Sequence, residues 1–289
     1  MMMIKPIVPI VNISKTAHDY DTFVLGFNGV LYDGEKIFPE ALKCLQNLAS
    51  LGKKIIIVSN THLRLAEIVD ILQTNGVDIE KISNIVSAGE ILHYKLKSGK
   101  SNFEALGHKY FHLGNRTSKG VFSGLNFEEV SKIEDAHFVY MSEVYSSDDS
   151  IDKYRPYLEQ AVAFGLPFVC AGNNASCFLD GKLSLAPGAL AENYAILGGR
   201  IITLGKPDVR IMQYALEGIV KDDNIVIIGD NVATDIKCAS LMGFDSILIS
   251  KGRHVNFLGE GYIPDITKTR ELSNSYDVSP SFVISALRW

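Results

Sequence analysis

The sequence predicts an α/β protein built on an open parallel sheet, with a second α/β unit inserted into the first. Two observations carry this expectation. Short apolar, β-rich runs alternate with helical patterns near both ends of the chain, and a middle stretch of roughly residues 89 to 199 shows further strand-like runs and a helix of its own. Strand, helix and strand at such spacing imply crossover connections and hence a parallel sheet.

The elements follow in order. Phe23 to Leu25 reads as a strand, Pro39 to Leu51 as a helix, Lys54 to Val58 as a strand, Leu63 to Thr74 as a helix and Ile85 to Ser87 as a strand. In the middle stretch, Tyr110 to Leu113, His137 to Tyr140 and Pro167 to Ala171 read as strands, with a helix near Asp152 to Phe164. The first pattern then returns, with helix Val209 to Glu217, strand Asn224 to Ile228, helix Ala233 to Met242 and strand Ser246 to Ser250. Phe282 to Ser285 could supply one more strand. The expected division is a core of 1–88 and 200–289 and an insertion of 89–199.

Composition narrows the function classes. At 289 residues and 47% hydrophobic the chain is globular, and a net charge of -5 with interspersed signs leaves no basic field for nucleic acid. The apolar start MMMIKPIVPIV is broken by Lys5, Pro6 and Pro9 before it reaches the length of a signal or a membrane span, so an extended arm packed on the domain is expected, with no membrane partner. Cys44, Cys170, Cys177 and Cys238 make no CxxC pair and read as reduced core residues of a cytoplasmic protein. No internal repeat is evident, and no G-x-G-x-x-G follows the first strand, which disfavours a nicotinamide-binding domain.

Ligands of open parallel sheets bind outside the carboxyl ends of the strands, so the residues after each apolar run are the ones to inspect. Ile55 to Val58 leads into Ser59-Asn60-Thr61, a hydroxyl and amide cluster suited to phosphate oxygens, although a serine there is more often a helix cap. Gly205-Lys206-Pro207-Asp208 sets a lysine beside a helix start, either to neutralise a phosphoryl group or as a solvated surface residue. Ile225 to Ile228 ends in Gly229-Asp230-Asn231, followed by Thr234-Asp235. Two carboxylates at the mouth of a buried strand suit oxygen-only coordination of magnesium, and a helix cap would explain Asp235 but not Asp230. The first strand ends instead in Gly26-Phe27-Asn28-Gly29, where the glycines permit a tight turn.

In this order the segments resemble the haloacid-dehalogenase (HAD) superfamily, whose motifs are D-x-D-G, a Ser/Thr at the second strand end, a lysine, and G-D-x-x-x-T-D. Gly29-Val30-Leu31-Tyr32-Asp33-Gly34, Val58-Ser59-Asn60, Leu197-Gly198-Gly199, Gly205-Lys206-Pro207-Asp208 and Gly229 to Ile236 are similar to the NagD-type and p-nitrophenyl-phosphatase-like subclass. The resemblance implies a Rossmann-like parallel-sheet core with a large inserted α/β cap. It also implies site roles. Gly26 stands at the nucleophile position and Asn28 at the acid/base position, both substituted. Gly29, Ser59, Asn60 and Lys206 would hold phosphate, Asp230 and the Asn28 main-chain carbonyl would ligate magnesium, and Asp235 would support that shell. The cap's substrate loop would carry Asn173 and Asn174, where relatives have Asn-Pro-Asp and only Asn173 is retained.

Glycine cannot attack phosphorus. Removing a nucleophile costs about 10⁶ in rate, and monoester hydrolysis can need up to ~10²¹. Asp33, Asp19 and Asp21 lie away from the carboxyl end of the first strand and are not placed to substitute. The expectation is therefore a phosphatase-like protein that binds a small phosphorylated metabolite or other anion with little or no hydrolysis, and binds magnesium weakly. The alternatives are a magnesium-dependent phosphatase of weak or non-standard activity and a non-catalytic interaction protein. A homodimer is a further option for assembly.

Overall fold

The computed structural model describes residues 6–99, 103, 105–115, 120–218 and 223–289. The chain runs β1 (Val8–Pro9), β2 (Thr22–Leu25), α1 (Pro39–Ser50), β3 (Lys54–Ser59), α2 (Leu65–Thr74), β4 (Asn84–Ser87) and α3 (Ala88–Ser98). It continues through β5 (Lys109–Leu113), β6 (Glu128–Val130), β7 (Phe138–Met141), α4 (Ile151–Ala163), β8 (Phe168–Ala171), β9 (Ser176–Leu179), β10 (Lys182–Leu185) and α5 (Pro187–Ile196). The last part holds β11 (Ile201–Leu204), α6 (Val209–Ala215), β12 (Ile225–Gly229), α7 (Lys237–Met242), β13 (Asp245–Ile249), α8 (Val255–Leu258), α9 (Ile266–Ser275) and β14 (Phe282–Ile284). Two compact units result: residues up to Ser59 with Val69–Val86 and Lys206–Trp289, and Asn60–Ile68 with Ser87–Gly205.

The first unit is a seven-stranded sheet in the order β1-β14-β13-β12-β2-β3-β4. Pairs β1–β14, β14–β13, β13–β12, β12–β2 and β2–β3 are parallel. Ile55, Ile56, Ile57 and Val58 are fully buried, as are Phe23, Val24 and Leu25 to within about a percent, because central parallel strands are covered on both faces. That is why these runs are continuously apolar rather than alternating. The chain leaves β2 for β3 on one side and later returns to lay β12 on the other. The crevice at this reversal, outside the ends of β2 and β12, is the natural ligand position of the sheet.

The second unit has a five-stranded parallel sheet, β11-β8-β7-β5-β6, and an antiparallel hairpin of β9 and β10. One face packs Tyr154, Leu158 and Ala161 of α4 and Leu190, Ala191 and Tyr194 of α5 against Val139, Met141 and Phe168. The other packs Leu92 and Leu96 of α3 against Tyr110, Phe138, Tyr140 and Val169. His62 is buried in this unit, and burial, with the neighbouring His112, pushes its imidazole down to about 4. An imidazole held neutral in the fold but free to charge when unfolded stabilises above its unfolded value. That contribution is lost as pH falls from 6.5 toward 4. His62→Leu is accordingly expected to remove about 2 kcal/mol of the stability lost between about pH 7.5 and 5, read as urea midpoints at the two pH values.

Several sequence expectations change in detail. Ala233 to Met242 is not one helix but a π-helical turn, Val232–Ile236, followed by α7. The Asn231 carbonyl accepts the N–H groups of Asp235 and Ile236, and its side chain accepts that of Ala233, so Asn231 is the cap and Asp235 is left for other work. The amino-terminal arm is a strand, with Val8 and Pro9 paired to Phe282 and Val283; its first residues, 1–5, lie outside the described residues. Cys44, Cys170 and Cys238 are buried and free as expected, whereas Cys177 on β9 is only half-buried, like the other residues of that strand. Among the described residues no helix is long and apolar enough to cross a membrane.

Candidate functional site

The β2–β12 crevice is lined by backbone before it is lined by side chains. Gly26 N–H donates to Ile228 O at 2.8 Å, holding the end of β2 against β12. The Phe27 carbonyl then accepts N–H groups from Val30, Leu31 and Tyr32, which turns the chain tightly. Gly26 does not sit in the left-handed region, so its backbone suits any L residue. A Cβ built there would lie 3.0 Å from Val30 Cγ2 and 3.7 Å from Asp235 Oδ1. The missing side chain would therefore leave β2 in the direction of Asp235.

Asp235 and Lys206 form the charged centre. Both are buried, with Nζ 2.7 Å from Oδ1 and 2.5 Å from the Val58 carbonyl. Oδ1 is in ion-pair contact but takes no well-aligned hydrogen bond, while Oδ2 accepts the Asn231 N–H at 3.2 Å. Of the two readings of Lys206, the solvated surface lysine is thus excluded. Ser59 is buried at the end of β3, the strand whose Val58 carbonyl holds the ammonium.

Asp230 lies in a seat made of two glycines. A Cβ at Gly29, where φ is +78°, would come within 2.0 Å of Asp230 Oδ2, and one at Gly252 within 2.2 Å of its Cβ. Its Oδ2 accepts the Arg253 N–H at 2.8 Å. Burial, then the Asp235 charge, pushes this carboxyl up to about 7, against the pull of Arg253 and Lys206. His254 accepts the Val232 N–H on Nε2 at 3.2 Å and is pushed down to about 4, chiefly by burial. Gly252, Arg253 and His254 were not singled out from the sequence. A signal existed, since they follow the run Ser246 to Ser250 just as Asp230 follows its own strand.

The structure gathers Gly26, Gly29, Lys206, Asp230 and Asp235 within the first unit, with Ser59 at the end of β3 in the same unit. Asn28 is half-buried in the turn, paired by bridge to Tyr32. Asn60, expected to hold phosphate, falls in the second unit, where its Nδ2 donates to Asn174 Oδ1 at 3.2 Å. Asn173 and Asn174 follow β8 in that unit and are half-buried. The neighbouring acids are occupied elsewhere: Asp33 Oδ1 accepts the N–H groups of Glu35 and Lys36, and Asp21 Oδ2 that of Asn224.

Residues 23–128 match the haloacid dehalogenase-like hydrolase family, and residues 203–287 match the HAD-hydrolase-like family. The chain belongs to the haloacid-dehalogenase superfamily. A haloacid dehalogenase-like hydrolase from Brucella suis superposes with a TM-score of 0.79 at 27% identity, over 96% of this chain and 98% of that one. The p-nitrophenyl phosphatase of Archaeoglobus fulgidus gives 0.64 at 18% over 92% and 96%. The glycerol phosphate phosphatase of Mycobacterium tuberculosis, solved with magnesium, gives 0.58 at 19% over 82% and 70%. A search of curated protein sequences found no match. A parallel-sheet core with a further α/β sheet is the fold shared with these solved structures.

Magnesium, which accompanies this HAD fold in a solved relative, meets a short donor set here. Asp230 brings one carboxyl group, but Asp235 is paired with Lys206 and Gly26 has no side chain to offer. Among the described residues no group of three or more His, Cys, Asp or Glu is placed to hold a metal. A cation demanding about six oxygens in octahedral array is not satisfied by these residues alone.

Proposed function

We propose that this HAD-superfamily chain binds a phosphorylated small molecule, or a related anion, with little or no hydrolysis. The observation that carries the reading is Gly26: the strand end that should present a carboxylate presents only a hydrogen, facing a Lys206–Asp235 pair. Charge supports it. Aspartates at positions 26 and 28 would add two negative charges to a site that also holds Asp230 and Asp235. Without them, the charges of Lys206 and Arg253, which both act on Asp230, face one paired acid, Asp235, and a carboxyl that burial and Asp235 push up to about 7. An anion then meets less negative charge than the two further aspartates would impose. Magnesium would bind weakly through Asp230 and the Asn28 carbonyl, and usefully only when phosphate oxygens complete its shell. The second unit would serve as the cap, with Asn173 and Asn174 in its substrate loop.

A second reading, weak magnesium-dependent hydrolysis, is favoured by one observation: the glycine seat of Asp230 is intact. Calorimetric titration of the full chain with inorganic phosphate tests the first. Binding is expected both in EDTA and, more tightly, in magnesium. Absence of binding in both would overturn the reading.

A further inference from the structure

The second unit has a reversal point of its own. In the order β11-β8-β7-β5-β6, the chain leaves β5 for β6 on one side, then returns past β5 to lay down β7, β8 and β11 on the other. The connections leave on opposite faces: Val121 and Phe122, between β5 and β6, pack with α3, whereas Tyr154, Leu158 and Ala161, between β7 and β8, pack on the other face. Connections that part this way open a crevice outside the carboxyl ends of β5 and β7, the place where such sheets take ligands.

Polar side chains converge there. His112, near the end of β5, has Nε2 2.8 Å from the hydroxyl of Ser142, the residue after β7. The Ser142 hydroxyl also donates to the Asn115 carbonyl at 3.2 Å. Tyr140, two residues before Ser142 and so on the same face, has its ring 5.4 Å from that of His112. His62 comes in from the segment between β3 and α2, its carbonyl so close to Gly89 in the first turn of α3 that a Cβ there would lie 2.0 Å away.

Two of these groups are unsatisfied. His62 Nε2 and the Tyr140 hydroxyl find no hydrogen-bond partner among the described residues, yet His62 is 8% exposed and Tyr140 fully buried. Buried polar atoms are nearly always bonded, so two orphans beside a bonded His–Ser pair call for a partner that brings its own donors and acceptors. Burial, with the nearby His112, keeps the His62 imidazole neutral, and an acid, Glu67, is among the groups whose fields act on Tyr140, which disfavours an anion.

We propose that the crevice between the ends of β5 and β7 is a second ligand site, formed by His62, His112, Tyr140 and Ser142, for an uncharged hydroxyl-bearing molecule of the polyol class. It is independent of what the first unit binds. The test is imidazole ¹⁵N NMR of the full chain, titrated with erythritol and separately with inorganic phosphate. Erythritol is expected to shift the His62 and His112 resonances saturably. Tyr140→Phe should weaken that binding by about tenfold or more, the loss of one buried hydrogen bond. The same variant should leave the melting temperature unchanged or higher, because its hydroxyl has no protein partner to lose. A flat erythritol titration overturns the proposal, as do saturable shifts with phosphate but not erythritol, or erythritol affinity unchanged in both Tyr140→Phe and His62→Leu.

Discussion

Gly26→Asp is expected to raise magnesium-dependent turnover of p-nitrophenyl phosphate at least ~10³-fold over the parent chain, out of the ~10⁶ that loss of a nucleophile costs. The backbone already suits the substitution, since Gly26 is outside the left-handed region and the one tight contact among the three nearest to the new Cβ is the Val30 methyl at 3.0 Å. That methyl needs to yield by a few tenths of an ångström. The new carboxylate would point toward Asp235 and its Lys206 partner and complete the acids around Asp230. Nitrophenolate leaves without a proton, so the single variant should suffice for this ester. Alkyl phosphates should need Asn28→Asp as well, because their leaving oxygen requires a general acid. Initial rates with both ester types check this, together with mass spectrometry for a phosphorylated Asp at position 26. Rates equal to the parent's would mean that the rest of the site is not catalytically arranged.

Lys206→Met should destabilise the first unit strongly. Lys206 and Asp235 are both about 95% buried and 2.7 Å apart, so removing the cation leaves an uncompensated carboxylate inside the fold. The expected loss is about 3–5 kcal/mol, whereas Lys206→Met with Asp235→Leu should recover most of it, because replacing both members of a buried pair is often near neutral. Urea unfolding of the two variants beside the parent decides the matter. A double variant as unstable as the single one would show that the lysine's bond to the Val58 carbonyl, not the ion pair, dominates.

Much of the first unit was legible because its strands are buried on both faces and end in chemistry. Ile55 to Val58 and Ile225 to Ile228 are unbroken apolar runs, and Asp230 follows the second of them. What the sequence obscured was conformational or tertiary. Nothing local marks Asn231 as the cap of a π-helical turn. Gly252 matters only because Asp230, distant in sequence, packs on it. The bond from the Asn60 amide to Asn174, more than a hundred positions away, has no local signature either. In the second unit, β9 and β10 and helices α3 and α5 went unread, since their patterns are short or weakly amphipathic. The orphaned His62 and Tyr140 could not be foreseen, because a missing hydrogen bond has no sequence signature.

On the proposed function, phosphate esters bind to this chain and are not hydrolysed. The most direct measurement is ³¹P NMR of the parent chain with p-nitrophenyl phosphate and magnesium over a long incubation, beside Asp230→Ala. Broadening or shift of the ester resonance, with no more inorganic phosphate than in the variant, is the predicted result. Steady release of inorganic phosphate that needs magnesium and disappears in Asp230→Ala would contradict it.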